Sequence, residues 1–202
     1  MTIAARKQRE KEEMRQLILD AARRIFMEKG FAGASMRTIA EAIQYSAGTL
    51  YLYFKDKDEI FHALHEEGFV KMLEYMAPLA HVADPFERLK AMGHVYIDFA
   101  RKNPDYYDLM FIMRAPMKCM EHEKWEEGDR TLGILKSVIR ECQAAGRFPG
   151  KDVDGLAFTI WAGVHGIAAL YVRNRVQAFE GVDPETLVDA GQRNFIEMLE
   201  RA

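Results

Sequence analysis

The sequence predicts an all-α protein of about nine helices, with a small N-terminal unit of three helices followed by a larger helical bundle. Three observations predict it. Apolar residues recur at three-to-four spacing along nearly the whole 202-residue chain, the period of a helix with one buried face. No segment alternates with the period of two that a half-buried strand needs. Starts are marked by an acid or amide followed by proline at Asp84-Pro85, Asn103-Pro104 and Asp183-Pro184. Proline's fixed φ and missing N–H cost nothing at a first helical position.

Met14, Leu17, Ile18, Ala21, Ile25 and Phe26 form the inward stripe of a first helix, which Lys29-Gly30 closes. Ser35 caps a second helix carrying Met36, Ile39, Ala40 and Ile43, and Ser46 caps a third carrying Leu50 and Phe54. Asp56 to Glu59 resembles a capping box and opens a long fourth helix with Phe61, Leu64, Phe69, Met72, Leu73 and Met76 inward. The fifth and sixth helices start at Pro85 and Pro104. A seventh runs from near Glu121 to Ala145 and stops at Gly146, an eighth from near Val153 to Arg175, and a ninth starts at Pro184. The expected domains are residues 1–57 and 58–202, joined by the fourth helix without a flexible linker.

Hydrophobic residues make up 49% and charged residues 29%, a globular composition that excludes a disordered chain. Two cysteines, Cys119 and Cys142, exclude a disulfide framework and fit a reducing cytoplasm. The first residues lack the apolar core of a secretory signal. Leu156 to Val172 is apolar except at Thr159 and His165, and its length lies at the lower limit of roughly 17–25 residues for a membrane span. Gly163, His165 and Gly166 favour a helix buried in protein, with no membrane partner. Residues 1–57 hold eleven basic and seven acidic residues, a net +4, against −7 for the remainder. A basic quarter on an acidic body suits contact with a polyanion.

The two short helices around Gln44-Tyr45-Ser46 follow the helix-turn-helix plan, in which the second helix enters a DNA major groove. Ala47-Gly48 permits close backbone approach, and the amides of a helix start attract phosphate. Hydroxyls of Ser46, Thr49, Tyr51 and Tyr53 suit phosphates or base edges, and Lys55 and Lys57 add positive charge. The string from Ser35 to Ile60, with its Gly-Thr-Leu-Tyr-x-Tyr-Phe-Lys-x-Lys core, closely resembles the DNA-binding signature of TetR-type transcriptional regulators, over residues 14–64. The resemblance implies that Arg37 and Thr38 start the supporting helix near the DNA backbone. It implies that Ser46, Ala47, Gly48, Thr49 and Tyr51 face the groove, that Tyr53 and Lys57 grip phosphates, and that Leu50 and Phe54 are core. The family usually has glycine and a small aliphatic residue where this chain has Gln44 and Tyr45. A non-glycine residue at a position needing positive φ is unfavourable, and Tyr45 either adds a groove contact or packs. The charged arm Arg6 to Lys11, which reads as disordered, is either a source of further phosphate contacts or a solvated tail.

The eighth helix is apolar nearly all round, so a second subunit is its natural cover, the alternative being a central helix of a monomer. Gly163, Gly166 and Gly191 would permit close helix approach, and the resemblance implies a homodimer through the eighth and ninth helices. Segment 72–120 is rich in methionine and aromatic residues, which suits either an adaptable apolar pocket or an ordinary core. Taken with the resemblance, Met72, Tyr75, Met76, Tyr96, Phe99, Tyr107, Met110, Phe111, Trp161 and His165 are the candidate ligand-binding residues. His165 lines the pocket or bonds across helices. Cys119 with His122, and His62 with His65, have ligand-like spacings but no second pair, so no metal is expected. No cofactor is expected either, and no phosphate loop, nucleophile elbow or paired carboxylates suggest an enzyme. The implied function is a regulator of double-stranded operator DNA, a repressor released by a small apolar or aromatic effector. An activator of the same fold and a helical binding module without DNA contact are the alternatives.

Overall fold

The computed structural model describes residues 2–113 and 126–201, and among them regular structure is entirely helical. The α-helices are α1 (Ile3–Gly33), α2 (Met36–Ala42), α3 (Ala47–Leu50), α4 (Lys57–Met76), α5 (Pro85–Lys102), α6 (Pro104–Tyr107), α7 (Glu126–Ala144), α8 (Val153–Val172) and α9 (Pro184–Glu200). Short 3-10 turns follow α4 and α8, and a π-turn spans Asp108–Ile112. All three expected proline starts open helices. The expected beginning of the seventh helix, residues 121–125, lies outside the described residues, as do Met117, Cys119, Met120 and His122.

The described chain divides into two compact units, residues 2–67 with 109–113, and residues 68–108 with 126–201. Helix α4 runs from one into the other, so the division falls a few turns beyond the Lys57 boundary expected from sequence.

In the N-terminal unit, Ile18, Leu19, Ala22, Phe26, Ile39, Leu50, Phe54 and Phe61 are buried together. Leu17, expected inward, is 41% exposed, and Leu19 takes its place. Gly30 breaks helical geometry at φ 69°, where the sequence placed the end of the helix. The residues after it still carry Phe31 onto Phe26 and Phe61, with ring centroids 5.5 and 5.2 Å away. The arm Arg6–Lys11 is helical, a correction to its reading as disordered. Thr2 caps it, and pairs one turn apart, Arg6–Glu10 and Arg9–Glu13, lie along it. Such pairs contribute about 0.2–0.5 kcal/mol each, and a helix already nucleated downstream needs little more to extend.

Serine hydroxyls start the two short helices. Ser35 Oγ accepts from Thr38 N, while Thr38 Oγ1 accepts from Ser35 N, a reciprocal cap. Ser46 Oγ accepts from Thr49 N at 3.1 Å. Asp56 Oδ1 accepts from Glu59 N at the head of α4, and Glu59 reaches back to the amide of Lys55. Helix α3 has one regular turn, continued to Phe54 by hydrogen-bonded turns.

The link between α2 and α3 is a left-handed cap. Gln44 has φ 61°, its N–H donates to Glu41 O, and Tyr45 N–H donates to Ala40 O at 3.0 Å. This is the two-bond pattern in which glycine is the usual residue.

In the C-terminal unit, Phe86 and Leu89 of α5, Val138, Ile139 and Cys142 of α7, Phe148, and Ala157 and Ile160 of α8 form one cluster. Helix α8 is long and apolar enough to cross a membrane. Its own chain buries only part of it. Ala157, Ile160, Val164 and Ala168 face inward, whereas Phe158 is 67% and Leu170 50% exposed. Gly163 accommodates the Phe195 ring of α9, since a Cβ there would stand 2.3 Å from it.

Replacing Gln44 by glycine should relieve the left-handed strain, roughly 1 kcal/mol, and raise the denaturant midpoint. Gln44→Val should lower it.

Candidate nucleic-acid interface and effector site

Around α2 and α3 the expected DNA-facing residues separate by what their polar groups already do. Arg37, Tyr45, Ser46, Gly48, Tyr51 and Lys55 are exposed; Thr38, Ala47, Thr49 and Tyr53 are half-buried. Leu50 and Phe54 are wholly buried, as expected for core. Ser46 Oγ is engaged by Thr49 N and lies 3.0 Å from Thr49 Oγ1, and Thr38 Oγ1 donates to Ser35 O while accepting from Ser35 N. These hydroxyls set the helix starts before they meet any ligand. Arg37 pairs with Glu41 at 2.8 Å on the exposed face of α2. Tyr45 is exposed, so it does not pack into the core.

Lys57 has a task within the fold that the sequence did not signal. Its ammonium donates to Phe31 O at 2.9 Å and Ala34 O at 3.0 Å and lies over the Phe31 ring. Two of its three donors thus hold the end of α1. Sequence reasoning left Leu52 unassigned, yet it is 77% exposed between Tyr51 and Tyr53. The signal was available: Leu50 and Leu52 are about 200° apart on a helix and cannot both point inward.

Gly48 is in the middle of α3 without positive φ, and a Cβ there would make only ordinary contact, 3.5 Å from Ser46 Oγ. The fold therefore does not require glycine. A residue that weakens the helix by about 0.5–1 kcal/mol relative to alanine fits a backbone that must approach something outside the chain.

The expected effector residues fall into both units. In the C-terminal unit, four form one hydrogen-bonded group. Tyr107 OH lies 2.8 Å and Tyr96 OH 3.1 Å from His165 Nδ1, and Trp161 Nε1 donates to Tyr96 OH at 3.2 Å. Burial lowers the basicity of His165 and raises both tyrosines above their ordinary values. Tyr107 OH also donates to the backbone carbonyl of His165 at 3.2 Å. Tyr75 stands edge-on to Phe99, Met72 is buried and Met76 half-buried. Asp108, also unassigned from sequence, is buried and pairs with Arg173 at 2.6 Å. Met110 and Phe111 belong to the N-terminal unit, where the backbone of Met110 bonds buried His65. Burial pushes His65 down to about 4.

A short capped helix, a left-handed turn and a second capped helix exposing tyrosines and lysine define the class: a helix-turn-helix protein joined to a helical C-terminal bundle. Residues 18–64 match the model for bacterial regulatory proteins of the tetR family, and residues 89–195 match that for a tetracyclin repressor-like C-terminal domain. The chain belongs to the TetR family, a family of DNA-binding transcriptional regulators rather than enzymes.

Among relatives, the transcriptional repressor AcnR of Corynebacterium diphtheriae is 41% identical over 63 residues, covering 31% of this chain and 33% of that protein. The chain thus spans about a third of the length of the first curated relatives it matches. The regulator UidR of Escherichia coli is 44% identical over 146 residues, 72% of this chain and 62% of that protein. The crystal structure of FadR from Bacillus subtilis in complex with stearoyl-CoA superposes with a TM-score of 0.74 at 20% identity, covering 90% of this chain and 97% of that one, a likeness of fold.

Gly48→Ala should raise stability by about 0.5–1 kcal/mol while weakening duplex binding, checked by thermal unfolding beside fluorescence anisotropy. For His65 the unfolded imidazole takes up a proton near pH 6.5, before the folded one at about 4. Its contribution is therefore full above pH 6.5 and is lost as pH falls toward 4. Denaturant titrations across that window should show a shallower pH dependence for His65→Gln than for the natural chain.

Proposed function

We propose that this protein is a homodimeric, cytoplasmic repressor that reads operator DNA with α3 and releases it when a small apolar or aromatic effector binds the C-terminal bundle. The observation that carries the DNA reading is the α2–α3 unit, in which Tyr45, Tyr51, Leu52 and Lys55 are exposed around a glycine the fold does not need. Relatives named as transcriptional repressors support the sign of regulation. The stearoyl-CoA complex of the FadR neighbour supports an effector held in this kind of bundle.

The outward face of α8 supports the dimer. Phe158, Ala162 and Leu170 are exposed on it, and a Cβ at Gly166 would meet nothing within 4 Å. A second copy related by a two-fold axis would cover this stripe, together with exposed Met198 on α9. Two reading heads would then enter successive major grooves about 34–36 Å apart. Helix α4 carries residues of both units, so an effector that changes its far half changes the spacing of the heads. To empty the operator, the effector must prefer the released state by about 5 kcal/mol.

Selection of bound fragments from genomic DNA should return a two-fold symmetric site, bound less tightly as salt rises. Gly166→Leu should leave the helical content intact, yield monomers in sedimentation and weaken operator binding. A natural chain that sediments as a monomer and ignores every duplex at low salt would overturn the proposal.

A further inference from the structure

Leu52 is 77% exposed although it lies between Leu50 and Phe54, both wholly buried. Hydrogen bonds from Leu52 N to Thr49 O and from Phe54 N to Leu50 O continue the coil of α3 past its regular turn. Residues two apart on such a coil point to opposite sides. Leu52 and exposed Gly48, one turn earlier, therefore share the side turned away from the core. A single exposed leucine is ordinary on a protein surface. This one stands on the segment that the helix-turn-helix plan sends into the major groove, and that segment is poor in polar equipment. From Ser46 to Tyr53 the chain has no arginine, lysine, asparagine, glutamine, aspartate or glutamate, the side chains that pair with guanine, adenine and cytosine edges. Ser46 Oγ is engaged by Thr49 N and lies beside Thr49 Oγ1, so these two hydroxyls already serve the cap. Apolar contact is the readout such a surface offers in quantity, and the apolar group a base pair shows in the major groove is the C5 methyl of thymine.

We propose that Leu52 is a specificity-determining residue that packs on the C5 methyl of one thymine in each half-site of the operator. The contact takes two apolar groups out of water. It separates T·A from C·G and from the reversed pair, because only one of these places a methyl at that point of the groove. Gly48 adds no side chain on the same side of the coil, one turn before Leu52, so the backbone there stands close to the groove floor. The fold makes little use of the Leu52 side chain, and alanine is at least as good a helix former. Replacing it therefore tests recognition rather than folding. The inference rests on the DNA reading above and names one base which that reading selects.

The test uses the full chain and the duplex returned by genomic selection, resynthesised with deoxyuridine replacing each thymine in turn, in both half-sites together. Deoxyuridine keeps the hydrogen-bonding edge of thymine and lacks only the methyl. Affinities are read by fluorescence anisotropy at one fixed salt concentration, because phosphate contacts respond to salt. At one symmetric pair of thymines the natural chain should lose about fourfold in affinity for each half-site changed, the scale of one buried methyl group. Leu52→Ala should bind the thymine and deoxyuridine duplexes equally, with the affinity the natural chain has for the deoxyuridine duplex. Tyr51→Phe, which retains Leu52, should keep the deoxyuridine penalty at that pair. A selected site with no thymine at a fixed place in each half-site, or a natural chain indifferent to every deoxyuridine, would overturn the assignment. So would a penalty that survives Leu52→Ala, or an affinity for the thymine duplex that Leu52→Ala leaves unchanged, the result expected if Leu52 faces solvent in the complex. The two failures are distinguishable: a natural chain that binds no duplex overturns the regulator reading as well, whereas duplex binding without a Leu52-dependent methyl preference overturns the Leu52 assignment alone.

Discussion

The reading head depends on one backbone conformation. Gln44 is held at φ 61° so that its own N–H and that of Tyr45 return to the carbonyls of Glu41 and Ala40. Those two bonds end α2 and reverse the chain, and Ser46 can then cap α3 within two residues. Without the left-handed residue, the last carbonyls of α2 would lack partners and α3 would leave at another angle. Left-handed backbone costs a non-glycine residue about 1–2 kcal/mol, and the burial of Ile39, Ala40 and Leu50 on either side of the turn offsets it.

Around that turn, polar side chains serve the fold first. Ser35, Thr38 and Ser46 close helix starts, and Lys57 closes the end of α1 through the carbonyls of Phe31 and Ala34. What they leave exposed is a small surface of aromatic, aliphatic and basic groups, with Gly48 flat among them. The same economy recurs in the C-terminal unit. Tyr96, Tyr107, Trp161 and His165 partner one another in a largely apolar setting. Gln192 is the contrasting case, a buried amide whose Nε2 the chain leaves without an acceptor.

Much of this was legible in the chain. Helix starts at Ser35, Ser46, Pro85, Pro104 and Pro184 follow from local chemistry, because a cap or a proline acts through neighbours a few residues away. The positive φ at Gln44 was legible through the resemblance to a family that places glycine there. The arm Arg6–Lys11 was misread because its charge suggested solvation, while its i,i+4 pairs and continuity with α1 favour helix. Leu17 was misread because helix phase drifts along a long stripe and Leu19 competes for the same core.

The sequence by itself determined the all-α class, the capped helix-turn-helix, the proline-started bundle and most of the N-terminal core, since each is fixed by contacts a few positions apart or by hydrophobic period. Only the tertiary structure decided that Lys57 holds carbonyls over twenty residues away, which apolar face of α8 points outward, and that Gln192 of α9 is buried beside α5. Those outcomes depend on which helices pack together and at what rotation, and no local pattern carries that information.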